Sequence, residues 1–252
     1  MGPVRSEVMR QSVLDAVSFA GGDESSLTIL DLGGGTGGDA VRLAQLGHRV
    51  TVVDPSPDAL AALQRRSSEA GLSDIDGAGS VVGVLGDTAD LHHHVADATV
   101  DLVVCHGVLE VVDDPGAALS GVARVLRDGG LASVVVGGRH AAVVARALAG
   151  DFTGAARVHA STASAWDVRE QGPRRFVPDE IEALLIDRGL TVQASFALRV
   201  FADLVPSALV DIEPGARSAL FELERLVRDD NAFAALAVGL QLIARLDLSQ
   251  NA

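Results

Sequence analysis

Ile29-Leu30-Asp31-Leu32-Gly33-Gly34-Gly35-Thr36-Gly37-Gly38 is the stretch that decides the architecture. An apolar, strand-forming run over 28–32 ends in a glycine loop, and a helical pattern takes over at 38–45. Outward from there the alternation continues: strand 49–53, helix 57–70, strand 80–85, strand 100–105, helix 116–126, a Gly129–Gly130 stop, and strand 131–136. Short β-branched runs separated by helical stretches are the rhythm of βαβ units, and the near-continuous apolar character of 131–136 suits a strand covered on both faces. The expected fold is α/β, a doubly wound, mostly parallel sheet.

Beyond Gly150 the rhythm breaks. Residues 151–176 are small and polar, with Trp166 and several arginines, and too long for a routine connection. They read as a lid or insertion over the ligand crevice. Pro178 opens a helix with Asp179, Glu180 and Glu182 near its start, Gly189 stops it, and a strand follows over 190–199. Residues 213–228 are amphipathic at helical spacing, and 238–246 form a last strand expected to add antiparallel at the sheet edge. The reading is one domain over residues 1–252.

Composition narrows the function. The chain has 252 residues, with 20 basic residues, all arginine, against 34 acidic ones, for a net charge of −14. That charge opposes non-specific attraction to nucleic acid or an anionic membrane. The single cysteine, Cys105, excludes an internal disulfide framework and points to a reducing, cytoplasmic setting. Residues 232–244 are interrupted by Gln241 and fall short of the roughly 20 apolar residues that cross a bilayer, so no membrane partner is expected.

The glycine loop fits G-x-G-x-x-G as Gly33, Gly35 and Gly38, and equally G-x-G-x-G as Gly33, Gly35 and Gly37. The flanking acids discriminate. Asp31, two residues before Gly33, would repel a pyrophosphate and welcome a cationic amino group, which favours S-adenosylmethionine over NAD. Asp54, at the end of the second strand, can accept both hydroxyls of a ribose. Asp87, after the third, can accept from an adenine amino group. Together with Gly33, Gly34 and Gly35 these acids outline a nucleoside pocket.

Through 31–37, Asp54, 101–106 and 124–130 the chain resembles the class I S-adenosylmethionine-dependent methyltransferases. A narrower resemblance, to the bacterial tRNA 5-carboxymethoxyuridine methyltransferases, runs through 105–115, Gly150-Asp151-Phe152, the Pro173-Arg174-Arg175 region and 198–203. It implies methyl transfer to the carboxylate of a modified wobble uridine, leaving S-adenosylhomocysteine. It also implies roles: Arg5, in Gly2-Pro3-Val4-Arg5, on the donor's carboxylate; Gly33 and Gly34 at its methionyl portion; Asp54 on the ribose; Asp87 and Thr88 by the adenine; His106 near the methionyl end. No residue is assigned as catalytic, because a sulfonium is a good leaving group and a carboxylate is already ionised at pH 7. His106 is the residue to test first if the acceptor needs deprotonation.

The chain departs from that family after Phe152, where basic residues thin out. Phosphate contacts would fall to Arg146, Arg157, Arg169, Arg174 and Arg175, so the acceptor stays open between tRNA and a small-molecule carboxylate or hydroxyl. A non-catalytic S-adenosylmethionine-binding module is the alternative of another class. His92-His93-His94 reads as a solvated loop rather than a metal site, since consecutive side chains diverge. Cys105 reads as a buried structural residue and Trp166 as packing.

Overall fold

The computed structural model describes residues 4–72 and 79–247; Gly2 and Pro3 of the N-terminal motif lie outside these. The chain opens with α1 (Val4–Phe19), then β1 (Thr28–Leu32), α2 (Gly38–Gln45), β2 (Arg49–Asp54), α3 (Pro57–Glu69) and β3 (Ser80–Leu85). A 3-10 turn (Thr88–Asp90) and the short α4 (Leu91–His94) lead into β4 (Val100–His106), α5 (Pro115–Val125) and β5 (Leu126–Gly137). Next come α6 (Arg139–Leu148), α7 (Phe152–Ala160), α8 (Val168–Gln171), α9 (Pro178–Ile186) and β6 (Leu190–Leu198). The last elements are α10 (Ser207–Ile212), α11 (Ala216–Val227), α12 (Asn231–Ala234) and β7 (Gly239–Leu246).

Turn chemistry explains the sharp boundaries. Ser56 Oγ accepts from Ala59 N and Asp114 Oδ1 from Ala117 N, with Pro57 and Pro115 at the first helical positions of α3 and α5. A capping oxygen and a proline with preset φ start a helix at one place only.

The seven strands form one sheet in the order β3-β2-β1-β4-β5-β7-β6. β1 to β5 run parallel, and β7 is antiparallel to both its neighbours. β7 alone is therefore reversed, and it lies one strand in from the edge where it was expected: β6, which runs in the same direction as β1 to β5, is outermost. Burial agrees, since β7 is covered along almost its whole length whereas β6 alternates. Side chains of β4 alternate between two cores, Val103 and Cys105 in one, Leu102 and Val104 in the other. Both faces are thus packed, as a parallel sheet requires.

Several limits shift from expectation by one to three residues, and His92-His93-His94, expected as a loop, forms the end of α4; two differences are larger. β5 begins at Leu126, not 131, because Leu126 pairs with Val100 and Leu131 with Leu102, so residues 127–130 bulge out. Gly129, at φ +73°, belongs to that bulge and does not stop the preceding helix. Residues 151–176 fold into α7 and α8, and none of them lines the crevice described below. The segment braces the crevice wall from behind. The buried Arg174 guanidinium donates to Leu109 O (3.1 Å), Val112 O (2.9 Å) and Ala163 O (3.0 Å), tying the segment to the loop that follows β4.

Candidate functional site

Strand order reverses between β1 and β4, and a parallel sheet opens a crevice at the carboxyl ends of its strands at such a point. Here the crevice has a volume of about 550 Å³ and is lined by Gly33, Asp54, Asp87, Thr88, His106 and the loop through Val112 and Asp114. Five sequence-derived candidates therefore meet in one cavity.

Asp54 is buried, and its carboxylate is set in place by two backbone donors, Gly35 N on Oδ2 and Ser56 N on Oδ1, both at 2.9 Å. The first of these bonds ties the glycine loop to the end of β2. Each oxygen keeps lone-pair capacity, which suits a pair of vicinal hydroxyls. Gly33 has φ +71° and donates its N–H to Val53 O (2.8 Å), so the loop leaves β1 through a conformation that L side chains rarely adopt. Asp87 is exposed at the mouth; its Oδ1 accepts from Thr88 N and from Thr88 Oγ1 (2.9 Å), which holds both residues at the start of the 3-10 turn.

Asp31 sits behind the loop instead of lining the crevice. Its carboxylate lies where a side chain at position 34 would have to go, so Gly34 is required for space. Burial, then the charges of Asp39 and Asp54, push its carboxyl up to about 7. Among the described residues no cation pairs with it.

His106 is half-buried at the end of β4. Burial holds its ring down to about 3, so it is neutral at pH 7, and Nε2 lies 2.8 Å from Ser133 Oγ. Cys105 next to it is fully buried, with its thiol pushed up to about 12, first by burial and then by Asp31 and Glu110. That is a packing residue, not a nucleophile.

Arg5 does not join the crevice. Its Nε lies 2.7 Å from Asp203 Oδ1 and 3.1 Å from Ala202 O, in a second hollow of about 670 Å³ whose walls include Pro206 and Leu220. The nearby carboxylate of Asp203 captures the guanidinium. Trp166 is buried and donates to Gly172 O (2.9 Å), which makes it packing.

Several polar residues escaped the sequence reading. Ser133 and Gln241 are fully buried and connect His106 to α1. Their only mark is that each interrupts an apolar strand. Glu224, also buried, accepts from three successive backbone N–H groups, of Val200, Phe201 and Ala202, at 2.7–2.9 Å. It holds the turn after β6, where Arg199 takes φ +60° and clasps Asp203 (Nε to Oδ2, 2.8 Å).

Residues 30–134 match the family model described as a methyltransferase domain. The chain is 31% identical over 151 residues to the tRNA 5-carboxymethoxyuridine methyltransferase of Escherichia coli K12, covering 60% of this chain and 55% of that protein. It is 37% identical over 105 residues to the ubiquinone biosynthesis O-methyltransferase of Methylocella silvestris, 42% of this chain and 38% of that protein. The matched regions thus span little more than half of the first relative and well under half of the second. Among solved structures, the geranyl diphosphate C-methyltransferase of Streptomyces coelicolor superposes with TM-score 0.60 at 16% identity, over 96% of this chain and 82% of that one. The [4+2]-cyclase SpnF superposes with TM-score 0.63 at 18% identity, over 94% and 81%. A methyltransferase and a cyclase on one scaffold show why fold alone does not fix a reaction.

Proposed function

We propose that the chain transfers the methyl group of S-adenosylmethionine to an oxygen acceptor, releasing S-adenosylhomocysteine. The observation that carries this reading is Asp54, a buried carboxylate preset by Gly35 N and Ser56 N at the wall of a crevice opening beside the glycine loop. Asp31 supports it, since its raised carboxyl has no cation among the described residues and an ammonium group would stabilise the ionised form. When bound, S-adenosylmethionine supplies a methyl group on a sulfonium sulfur, already a good leaving group. The chain's residues then have to bind, orient and exclude water: Asp54 holds hydroxyls, Asp31 attracts an ammonium from beneath Gly34 of the glycine loop, and Thr88 and Asp87 close the adenine end. Alignment of this kind supplies several kcal/mol without a proton transfer, on the order of 7–11 kcal/mol in well-oriented systems.

For the acceptor we infer a carboxylate of a modified tRNA wobble uridine, supported by the likeness to the E. coli protein of that name. A second reading, a small-molecule carboxylate or hydroxyl, is favoured by a specific observation. Of the five arginines available for phosphate contacts, Arg174 is buried on carbonyl oxygens, Arg175 pairs with Glu110 (3.0 Å) and Arg146 with Asp151 (2.9 Å), which leaves Arg157 and Arg169 exposed on a chain of net charge −14.

The test incubates the protein with methyl-labelled S-adenosylmethionine and an extract of its source cells, then separates small RNA from metabolites. Label in RNA that is lost in mild alkali supports the wobble ester. Label confined to metabolites moves the acceptor to the small-molecule class. Tight binding of the donor with no transfer to either fraction would overturn the enzyme in favour of a binding module.

A further inference from the structure

On the α1 side of the sheet, four residues from four elements form one polar chain. His106 on β4, Ser133 on β5 and Gln241 on β7 fall on the same face as Leu102, Val104, Leu131 and Ile243, by the two-residue period of their strands, and α1 contributes the main chain of Ser12. Ser12, Ser133 and Gln241 are each fully buried, so every proton in the chain has to be placed.

The assignment starts at the closed end. Gln241 lies 2.8 Å from Ser12 O, a carbonyl that can only accept, so the group facing it is the amide nitrogen. The second N–H of that nitrogen reaches Ser133 Oγ at 3.0 Å, and Gln241 Oε1 is left buried without a partner. Ser133 Oγ therefore already accepts one bond. Its own hydrogen has a partner in His106 Nε2, 2.8 Å away. If Nε2 carried the proton instead, Ser133 Oγ would accept twice and its hydrogen would be buried with nothing among the described residues to receive it. Neutral imidazole carries one proton, and with Nε2 accepting, that proton is on Nδ1.

We propose that Ser133 and Gln241 are positioning residues that lock His106 as the neutral Nδ1–H tautomer, making Nδ1–H a fixed hydrogen-bond donor at the crevice wall for an oxygen atom of the bound ligand. A ring in this state has no free lone pair, so His106 orients and does not act as a general base. The inference rests on the crevice being the methyl-transfer site, and it explains why a fully buried strand keeps a glutamine with an orphaned carbonyl.

The experiment is imidazole nitrogen NMR on the full chain labelled with ¹⁵N-histidine, with His106 assigned by the signal lost in His106→Gln. The wild type is expected to show a bare Nε2 and a protonated Nδ1, unchanged between pH 5.5 and 8. Ser133→Ala and Gln241→Met are each expected to convert His106 to a mixture of tautomers, and Ser133→Thr, which keeps the hydroxyl, to restore the wild-type pattern. Gln241→Met should do so with a melting temperature no lower than wild type, because it also removes the orphaned oxygen; a merely structural glutamine would lose stability and leave the tautomer unchanged. A protonated Nε2 in the wild type, titration of His106 in that pH range, or unaltered signals in both variants would overturn the proposal. Calorimetric titration with S-adenosylhomocysteine on the same samples separates the two readings: no binding removes the methyl-transfer reading, whereas binding with a wrong tautomer removes only this one.

Discussion

The two halves of the sheet edge are built by different means. Over β1 to β4 the crevice is held by contacts at the strand ends that span at most 20 residues of chain: Asp54 with Ser56 and Gly35, Asp87 with Thr88, Gly33 with Val53. Over β5 to β7 the same edge is held by contacts that cross longer stretches of chain, such as Arg5 with Asp203 and Glu224 with the turn after β6. The first half has the chemistry of a ligand site and the second that of a scaffold. Substitutions in the first should change binding with little effect on folding, and those in the second the reverse.

The largest effect should come from the scaffold half. Glu224→Ala leaves three backbone N–H groups without their acceptor in a buried turn, and at about 1–3 kcal/mol per unsatisfied group the loss is about 4 kcal/mol, read by urea denaturation. Affinity for S-adenosylhomocysteine, measured where the variant is folded, should stay within a few-fold. A variant of wild-type stability would erase the contrast between the halves. Asp54→Ala should do the opposite. Loss of two charge-assisted contacts weakens S-adenosylhomocysteine binding on the order of a hundredfold, with a modest change in stability, and unchanged affinity by calorimetry would remove Asp54 from the ribose role.

Asp31 sharpens the comparison through pH. Its folded carboxyl is raised to about 7 from an ordinary value of 3.8, so its contribution to stability is fully present below about 4 and is lost as pH rises through 7. Binding of an ammonium-bearing ligand runs the other way, because only the ionised form attracts it. Affinity for S-adenosylmethionine should rise about tenfold between pH 6 and 8, and Asp31→Asn should abolish both the rise and the stability loss. A flat pH profile in the wild type would count against the role of Asp31. The smallest effect concerns Arg5, half exposed on Asp203: Arg5→Ala should cost under about 1 kcal/mol of stability and leave donor affinity within twofold. A tenfold loss of affinity would show that Arg5 leaves Asp203 for the donor, as the family resemblance implies.

The same contrast explains what could be read from the sequence. The limits of β1, α2 and β3 were legible to the residue, since glycines, caps and prolines act locally. Asp54, Asp87 and His106 followed because they stand at or just after strand ends, where a parallel sheet opens its crevice, whereas Thr88 came from the family resemblance alone. The roles of Ser133, Gln241 and Glu224 depend on partners 22 to 229 residues away in the chain, and no local pattern announces them. Arg5 shows the limit of a motif match: the residue type is right, but Asp203, close only in the fold, takes its guanidinium. Residues 151–176 were legible as a departure from the βαβ rhythm and not as a brace, because the buried contacts of Arg174 decide which way the segment packs.

The most direct measurement titrates the wild-type chain at pH 8 with S-adenosylmethionine and, in parallel, with NAD. One S-adenosylmethionine bound per chain with no heat from NAD is the predicted result, since Asp31 attracts an ammonium and repels a pyrophosphate. Binding of NAD, or of neither ligand, would contradict the account.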